Sequence, residues 1–281
     1  MNALEINNLT KHYNGFSIDK MNLTLPSGSI MGLIGENGAG KSTTIKLILD
    51  MIDRDEGTIT VLGKDNKDNF RLTKNDIGVV LDEVSFSGFY KPKHIDKVMR
   101  VLYENWDSGY FFSLINQFHI PCDKKFKELS RGNKMKLGIA VALSHKPKLL
   151  IFDEATNGLD PVVRDEVTDM IFEFTRDEEH SVLISSHIVT DLEKICDYIA
   201  FMKEGNIILC EEKDKLREDY AIIQCDKDLI KSIDSSALVR VKHTPYGDKA
   251  IVKKMHIPQG VHYTPVTIEE LFVFMIRGDE N

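Results

Sequence analysis

The chain reads as an α/β protein built around a mainly parallel sheet, and three observations predict this. A glycine-rich turn from Gly35 to Gly40 joins a short apolar run at Ser29–Ile34 to a helical start at Thr43–Leu49. Two more apolar runs, Leu149–Phe152 and Val182–Ser185, bracket a helical stretch from Val162 to Phe174, the rhythm of a strand, crossover helix and parallel strand. Between these halves, from about residue 92, the apolar spacing lengthens to that of helices, so a helical lobe is inserted into the α/β core.

The elements follow in order. Leu4 and Ile6 alternate with polar residues, and Ile18 to Leu25 is apolar at every second or third position, so the chain opens with strands. Gly57 and Gly63 bound another strand, and Ile77–Leu81 is the next. Ile95, Val98, Met99, Leu102 and Trp106 recur at helical spacing, as do Phe111, Leu114, Ile115 and Phe118. Beyond about residue 218 the composition shifts. Tyr220–Gln224 and Leu238–Lys242 read as strands, with a turn at Pro245-Tyr246-Gly247-Asp248 leading back into Ala250-Ile251-Val252. Thr267 followed by Glu270 is a capping box opening a helix that buries Leu271, Phe272, Phe274 and Met275. With 281 residues, the expectation is one large domain over residues 1–218, its helical lobe at about 83–146, and a small α+β appendage over 219–281, marginal in size for standing alone.

Composition narrows the function classes. The chain is 42% hydrophobic and 28% charged, and no uncharged apolar run approaches the roughly 18 residues of a membrane-spanning helix. Met1–Thr10 has neither the basic start nor the apolar core of a signal peptide, so a cytoplasmic address is expected. Lys and Arg number 36 against 44 Asp and Glu, a formal charge of −8, which opposes sequence-independent attraction to nucleic acid. Cys122, Cys196, Cys210 and Cys225 lack the spacing of a zinc site or a disulfide framework and read as reduced core thiols.

The chemistry concentrates at Gly35-Glu36-Asn37-Gly38-Ala39-Gly40-Lys41-Ser42, which satisfies the phosphate-loop pattern GxxxxGK followed by Ser or Thr. Glycines without Cβ let successive backbone N–H groups curl around phosphate oxygens at a helix N-terminus, where the dipole favours an anion. Lys41 then reaches the β and γ phosphates, Ser42 places its hydroxyl on Mg²⁺, and Thr43 sits over the α phosphate. Leu149-Leu150-Ile151-Phe152-Asp153-Glu154 runs four apolar residues into two carboxylates, delivering them to the sheet edge that also holds the phosphate loop. Asp153 is the natural Mg²⁺ partner and Glu154 the base that orients an attacking water. A guanine-reading NKxD motif is absent, since Asn66-Lys67-Asp68-Asn69 and Asn133-Lys134-Met135-Lys136 both fail at the fourth position, so ATP is favoured over GTP.

Leu129-Ser130-Arg131-Gly132-Asn133 resembles the LSGGQ signature of the ABC-transporter ATPases. Around it the chain is similar to that family in order and spacing over residues 1 to about 218: Tyr13 at the adenine-stacking position, Asn157-Gly158-Leu159-Asp160 as the D-loop, and His187 after a strand as the switch histidine. The resemblance implies a RecA-like core with an antiparallel β subdomain and a helical subdomain. It also implies ATP gripped by Tyr13, Asn37, Gly38, Ala39, Gly40, Lys41, Ser42, Thr43 and Asp153, with Ser130 and Gly132 cradling the γ phosphate of a second subunit. Glu154, His187 and Lys41 are the implied catalytic residues. The implied partners are a second ATPase subunit, head to tail, and a separate membrane permease at the inner face of the cell membrane. The groove for the permease's coupling helix would lie at Ser85–Tyr90, whose aromatics otherwise read as core.

Three positions depart from the family pattern. Asp82 stands where the Q-loop glutamine is expected and can still bind Mg²⁺ or its water; Arg131 and Asn133 flank Gly132 in the signature; Ala155 replaces the proline after Glu154. Within the family the chain is similar to bacterial exporters of drugs, antimicrobial peptides and lipid-like cargo, of the phenol-soluble-modulin exporter type. Soluble members acting on ribosomes or DNA are the rival reading. Translation-type members carry two cassettes where one phosphate loop is found here, and repair-type members insert a coiled coil for which this chain has no room.

Overall fold

The structure, a computed structural model, describes residues 1–67, 74–225, 229, 233, 238–242, 247–258 and 260–277. Strands β1 (Asn2–Tyr13) and β2 (Phe16–Pro26) form a hairpin, followed by β3 (Ile30–Gly35) and helix α1 (Lys41–Ile48). β4 (Glu56–Val61) and the short β5 (Lys64–Asp65) complete a four-stranded antiparallel sheet ordered β2-β1-β4-β5. β6 (Ile77–Val80) then leads into three helices, α2 (Pro92–Leu102), α3 (Ser108–Gln117) and α4 (Arg131–Leu143). The α/β rhythm resumes with β7 (Leu149–Asp153), α5 (Pro161–Phe174), β8 (Ser181–Ser186), α6 (Val189–Ile195), β9 (Tyr198–Lys203) and β10 (Asn206–Glu212).

The central sheet has the order β10-β9-β3-β8-β7-β6, parallel except for its edge strand β10. Strands β3, β7 and β8 are buried along their whole length, as parallel strands covered on both faces must be. Alternation divides their side chains between two layers. Leu149 and Ile151 join the β1, β2 and β4 side chains, whereas Leu150 and Phe152 pack with the helices. Register places the chemistry, because β8 lies between β3 and β7. Ile34 pairs with Ser186 and Asp153 pairs with Ser185, so the loop leaving β3 and the acids ending β7 meet across the last residues of β8.

Helix α7 (Lys213–Asp219) connects to β11 (Tyr220–Cys225), β12 (Leu238–Lys242), β13 (Asp248–Lys253) and β14 (Tyr263–Pro265), an antiparallel sheet ordered β12-β13-β11-β14. The hairpin expected around Ala250-Ile251-Val252 forms between β12 and β13, although Pro245 and Tyr246 of its turn lie outside the described residues. Helix α8 (Ile268–Arg277) opens on the expected capping box: Thr267 N–H and Oγ1 donate to Glu270 Oε2, and Glu270 N–H donates back to Thr267 Oγ1. Its apolar face does not close a free-standing unit. Leu271, Phe272, Phe274 and Met275 join the core of the preceding α/β part, with the Phe272 ring 5.3 Å from that of Phe201. The sheet keeps only a small core of its own around Ile223, Val241, Ala250 and Val252, and the docked helix supplies the burial that so short a segment lacks.

Two expectations need correction. Helix α2 ends at Leu102, so Trp106 lies past it and returns to donate its Nε1–H to Asp96 Oδ1 at 2.9 Å; Val98 and Leu102 share the helical spacing but are exposed. Helical spacing fixes which residues share a face but not whether anything covers it. Of the four cysteines, Cys196 and Cys225 are buried, while Cys122 and Cys210 are exposed.

Candidate functional site

The phosphate loop turns sharply into α1 at Gly40, whose φ of +112° is left-handed backbone. A Cβ there would stand 2.7 Å from Met202 Cε and 2.8 Å from Phe16 Cζ, so the left-handed backbone favours glycine and any side chain would have to displace those two ends. No side chain caps the helix, which leaves its first N–H groups to an incoming anion. Asn37 and Gly38 are exposed on the crest of the loop, whereas Ala39, Gly40 and Lys41 are buried beneath it. Phe16 is also the cross-strand partner of Tyr13, whose ring is exposed.

Lys41 is the electrostatic centre. Its side chain is 5% exposed, and Nζ donates to the carbonyls of Gly35 (2.8 Å) and Glu36 (3.2 Å) and pairs with Glu154 Oε1 at 3.0 Å. The other Glu154 oxygen, Oε2, lies 2.8 Å from His187 Nδ1. Residues distant in the chain thus converge on one carboxylate, itself 13% exposed. Glu154 has a φ of +53°, uncommon for a residue with a side chain, and its N–H is held by the carbonyl and hydroxyl of Ser185.

Beside this group Ser42 Oγ donates to Asp153 Oδ1 at 3.1 Å, and Ser185 Oγ donates to the same oxygen at 2.6 Å. Ser185 is fully buried and secures both acids, Asp153 through its hydroxyl hydrogen and Glu154 through its lone pair. The residue signals above did not single it out. The available signal was the strand Val182-Leu183-Ile184 ending in two serines, next to the strand that ends in two acids. Hydroxyl and carboxylate oxygens are the donors a hard divalent cation takes, so Ser42 and Asp153 fit Mg²⁺.

The signature segment is built on another element. Ser130 caps α4, its Oγ accepting from Asn133 N–H at 3.2 Å, so Arg131 and Gly132 begin the helix. Among the described residues, no hydrogen bond or ion pair joins Ser130 or Gly132 to the Lys41, Glu154 and Asp153 group. Asp82, the expected third metal donor, accepts at Oδ1 from Arg131 Nη2 at 3.1 Å, and among the described residues no hydrogen bond or ion pair joins it to Ser42 or Asp153. Asp160 caps α5 by accepting from Val162 and Val163 N–H groups, which fixes the end of the Asn157–Asp160 loop. In the Ser85–Tyr90 segment, Phe86 packs edge-on against Phe126 while Phe89 and Tyr90 are exposed, so the aromatics divide between core and surface.

Residues 18–157 match the profile of the family described as ABC transporter. The ABC transporter ATP-binding protein YtrB of Bacillus subtilis (strain 168) is 30% identical to this chain over 98% of both. The chain belongs to the ABC transporter family. The bacitracin transport ATP-binding protein BcrA of Enterococcus faecalis is 33% identical over 73% of this chain and 68% of that protein. The lantibiotic transport ATP-binding protein SrtF of Streptococcus pyogenes is 35% identical over 75% and 91%. Two solved structures carry the fold comparison. An ATP-binding subunit of an ABC transporter superposes with a TM-score of 0.70 at 23% identity, covering 76% of this chain and 92% of that one. A dimeric ATP-binding cassette in a post-hydrolysis state with ADP and Pi gives 0.66 at 20% identity, covering 75% and 98%. The architecture is that of the P-loop ABC ATPases, with the central sheet, antiparallel sheet and helical insertion that the sequence predicts. As an ABC ATPase the chain binds ATP with Mg²⁺ and hydrolyses ATP. Subunits of this family work with membrane permease components, and among the described residues no helix is long and apolar enough to cross a membrane.

Proposed function

We propose that this ABC ATPase powers a bacterial exporter of antimicrobial peptides, drugs or lipid-like amphiphiles, working as a head-to-tail pair on a separate permease at the inner face of the membrane. The observation that carries the catalytic part is the Lys41, Glu154 and His187 group, in which the first residue of α1 and the residues after β7 and β8 meet at one carboxylate. The relatives named for bacitracin and lantibiotic transport support the class of cargo. The proposed division is an ATPase domain over 1–218, with its helical subdomain at about 83–146, and an accessory part over 219–281.

In this reading Tyr13 stacks the adenine, residues 37–43 hold the phosphates, and Ser42 with Asp153 holds Mg²⁺, which neutralises charge on the transferring phosphoryl group. Lys41 has all three ammonium hydrogens engaged, one of them on Glu154. A phosphate that takes over Lys41 unloads Oε1 of Glu154, leaving that oxygen to accept a proton from the attacking water while His187 steadies Oε2. Ser130 and Gly132, absent from this group within one chain, serve the second subunit's ATP, which is why the site is complete only in the pair.

Replacing Glu154 with Gln tests the assignment. Turnover should fall by about 10²–10⁴-fold, ATP binding should persist, and an ATP-bound dimer should accumulate in sedimentation. Turnover at the parent rate would remove Glu154 as the base. Purification of the full chain from membranes should bring a permease with it; recovery with ribosomes or DNA instead would replace the exporter reading.

A further inference from the structure

Two of the departures from the family pattern touch each other. Arg131, the first residue of α4, directs Nη2 to Asp82 Oδ1 at 3.1 Å, although 49 positions separate them. The same guanidinium lies against the loop after Glu154: a Cβ built on Gly158 would come within 2.6 Å of Arg131 Nη1. Three segments therefore meet at one cation, namely the segment after β6, the start of α4 and the Asn157–Asp160 loop. Both partners border a cleft of about 670 Å³ that also takes in Glu83, Ser85, Lys134 and Asn157.

The pair is open to water, with 56% of the arginine side chain and 48% of the aspartate exposed. Such a contact contributes little in water, and an exposed guanidinium exchanges one carboxylate for a better anion at small cost. A terminal phosphate is a better anion, since it carries more charge and accepts two parallel N–H bonds from the guanidinium fork. Arg131 is the residue next to Ser130 at the helix tip that the proposed arrangement turns towards the second subunit's triphosphate. A glycine there offers only its backbone N–H; arginine adds a full positive charge, and Asp82 balances it when no nucleotide faces it.

We propose that Arg131 is a phosphate-contacting residue, supplied across the interface to the γ phosphate of the second subunit's ATP, and that Asp82 is a positioning residue that holds Arg131 back until that phosphate arrives. This rests on the head-to-tail reading above. Asp82 then sets the ATP threshold for pairing: it competes with the nucleotide for one cation, and each subunit hands its arginine over on closure.

The test uses the full chain carrying Glu154→Gln, titrated with MgATP or MgADP and followed by sedimentation for pairing and by a fluorescent nucleotide for single-subunit affinity. Arg131→Gln should raise the ATP concentration at half-pairing by about tenfold, leave ADP affinity unchanged, and be partly rescued by Arg131→Lys. Asp82→Asn should lower that concentration by about threefold, the worth of an exposed pair. The combined variant should behave like Arg131→Gln alone, because Asp82 acts only through Arg131. Pairing of Arg131→Gln at the parent's ATP concentration would overturn the proposal, and so would a rise on Asp82→Asn, which would make the pair a fixed brace. Loss of ADP affinity in Arg131→Gln would also overturn it, by placing Arg131 in its own subunit's phosphate loop or in the fold. Lone subunits in the Glu154→Gln parent at saturating ATP would instead overturn the head-to-tail reading, and this inference with it.

Discussion

Lys41 with Glu154 and Arg131 with Asp82 are both cation–carboxylate contacts at close to 3 Å, and their surroundings give them opposite physical roles. The first pair is 5% and 13% exposed, the second 56% and 48%. Burial makes the Lys41 contact costly to break by removing one partner, because the other charge is left in a low-dielectric site. Water makes the Arg131 contact cheap to exchange. Phosphate chemistry uses both properties. The phosphate loop needs a cation whose position is fixed before the nucleotide arrives, whereas a residue reaching towards another subunit needs a holding partner it can leave. Distance alone does not separate the two cases; solvent access does.

The largest expected effect is at Lys41. Lys41→Ala should weaken ATP binding or turnover by more than about a hundredfold, read with a fluorescent nucleotide and by phosphate release. It should also lower stability by about 3 kcal/mol, because Glu154 would keep only His187. Adding Glu154→Gln should recover much of that stability and none of the activity. A double variant as unstable as Lys41→Ala would show that the pair does not dominate the local energetics, and the contrast with Arg131 and Asp82 would then rest on function alone.

Ser185 sharpens the comparison from within the buried half. Its hydroxyl lies 2.6 Å from Asp153 Oδ1 and accepts from Glu154 N–H, so Ser185→Ala removes one of two hydrogen bonds from each, leaving Asp153 Oδ1 with Ser42 and Glu154 N–H with the Ser185 carbonyl. We expect the Mg²⁺ concentration for half-maximal turnover to rise by about tenfold and the melting temperature to fall, while Asp82→Asn in the exposed half leaves the melting temperature unchanged. An unaltered Mg²⁺ requirement in Ser185→Ala would detach Ser185 from the metal site.

How much of this was legible in the sequence follows the range of the interactions. The phosphate loop is a contiguous pattern with a strand before it and a helix after it, and α1 begins where Gly40 turns the chain. Asp153 and Glu154 end an apolar run, and their convergence with Lys41 follows once β3 and β7 flank β8. Ser185 was hidden because its importance comes from register: it stands opposite Asp153 on the neighbouring strand, and polar residues close many buried strands. Asp82 and Arg131 were visible only as two separate departures, since nothing local says that positions 49 apart share a hydrogen bond. The capping box announced α8, but its docking surface on α6 and Phe201 is tertiary information that a helical period does not carry. The exposed Val98, Val101 and Leu102 of α2 make the same point in reverse.

A third contact lies between the two extremes and carries the smallest expected effect. Asp96 is 6% exposed while its partner Arg100 is 62% exposed, and the carboxylate also accepts from Trp106 Nε1–H at 2.9 Å. Burial raises its proton affinity, but hydrogen bonds from Ser108, Trp106 and Arg100 outweigh that and hold the carboxyl below its ordinary value of 3.8. A carboxyl whose folded value is depressed contributes stability that is complete above the ordinary value and is lost as pH falls through the lowered one. Trp106 is the single tryptophan of the chain and touches this carboxylate, so its fluorescence reads the helical lobe directly. Asp96→Asn should lower stability by about 1–2 kcal/mol at neutral pH and shrink the difference from the parent as pH falls below 3.8, where the parent's own carboxyl takes up its proton. A difference that is the same at pH 3 and pH 7 would show that Asp96 holds Trp106 by shape and hydrogen bonding without help from its charge, and would place this contact with the exposed pair rather than the buried one.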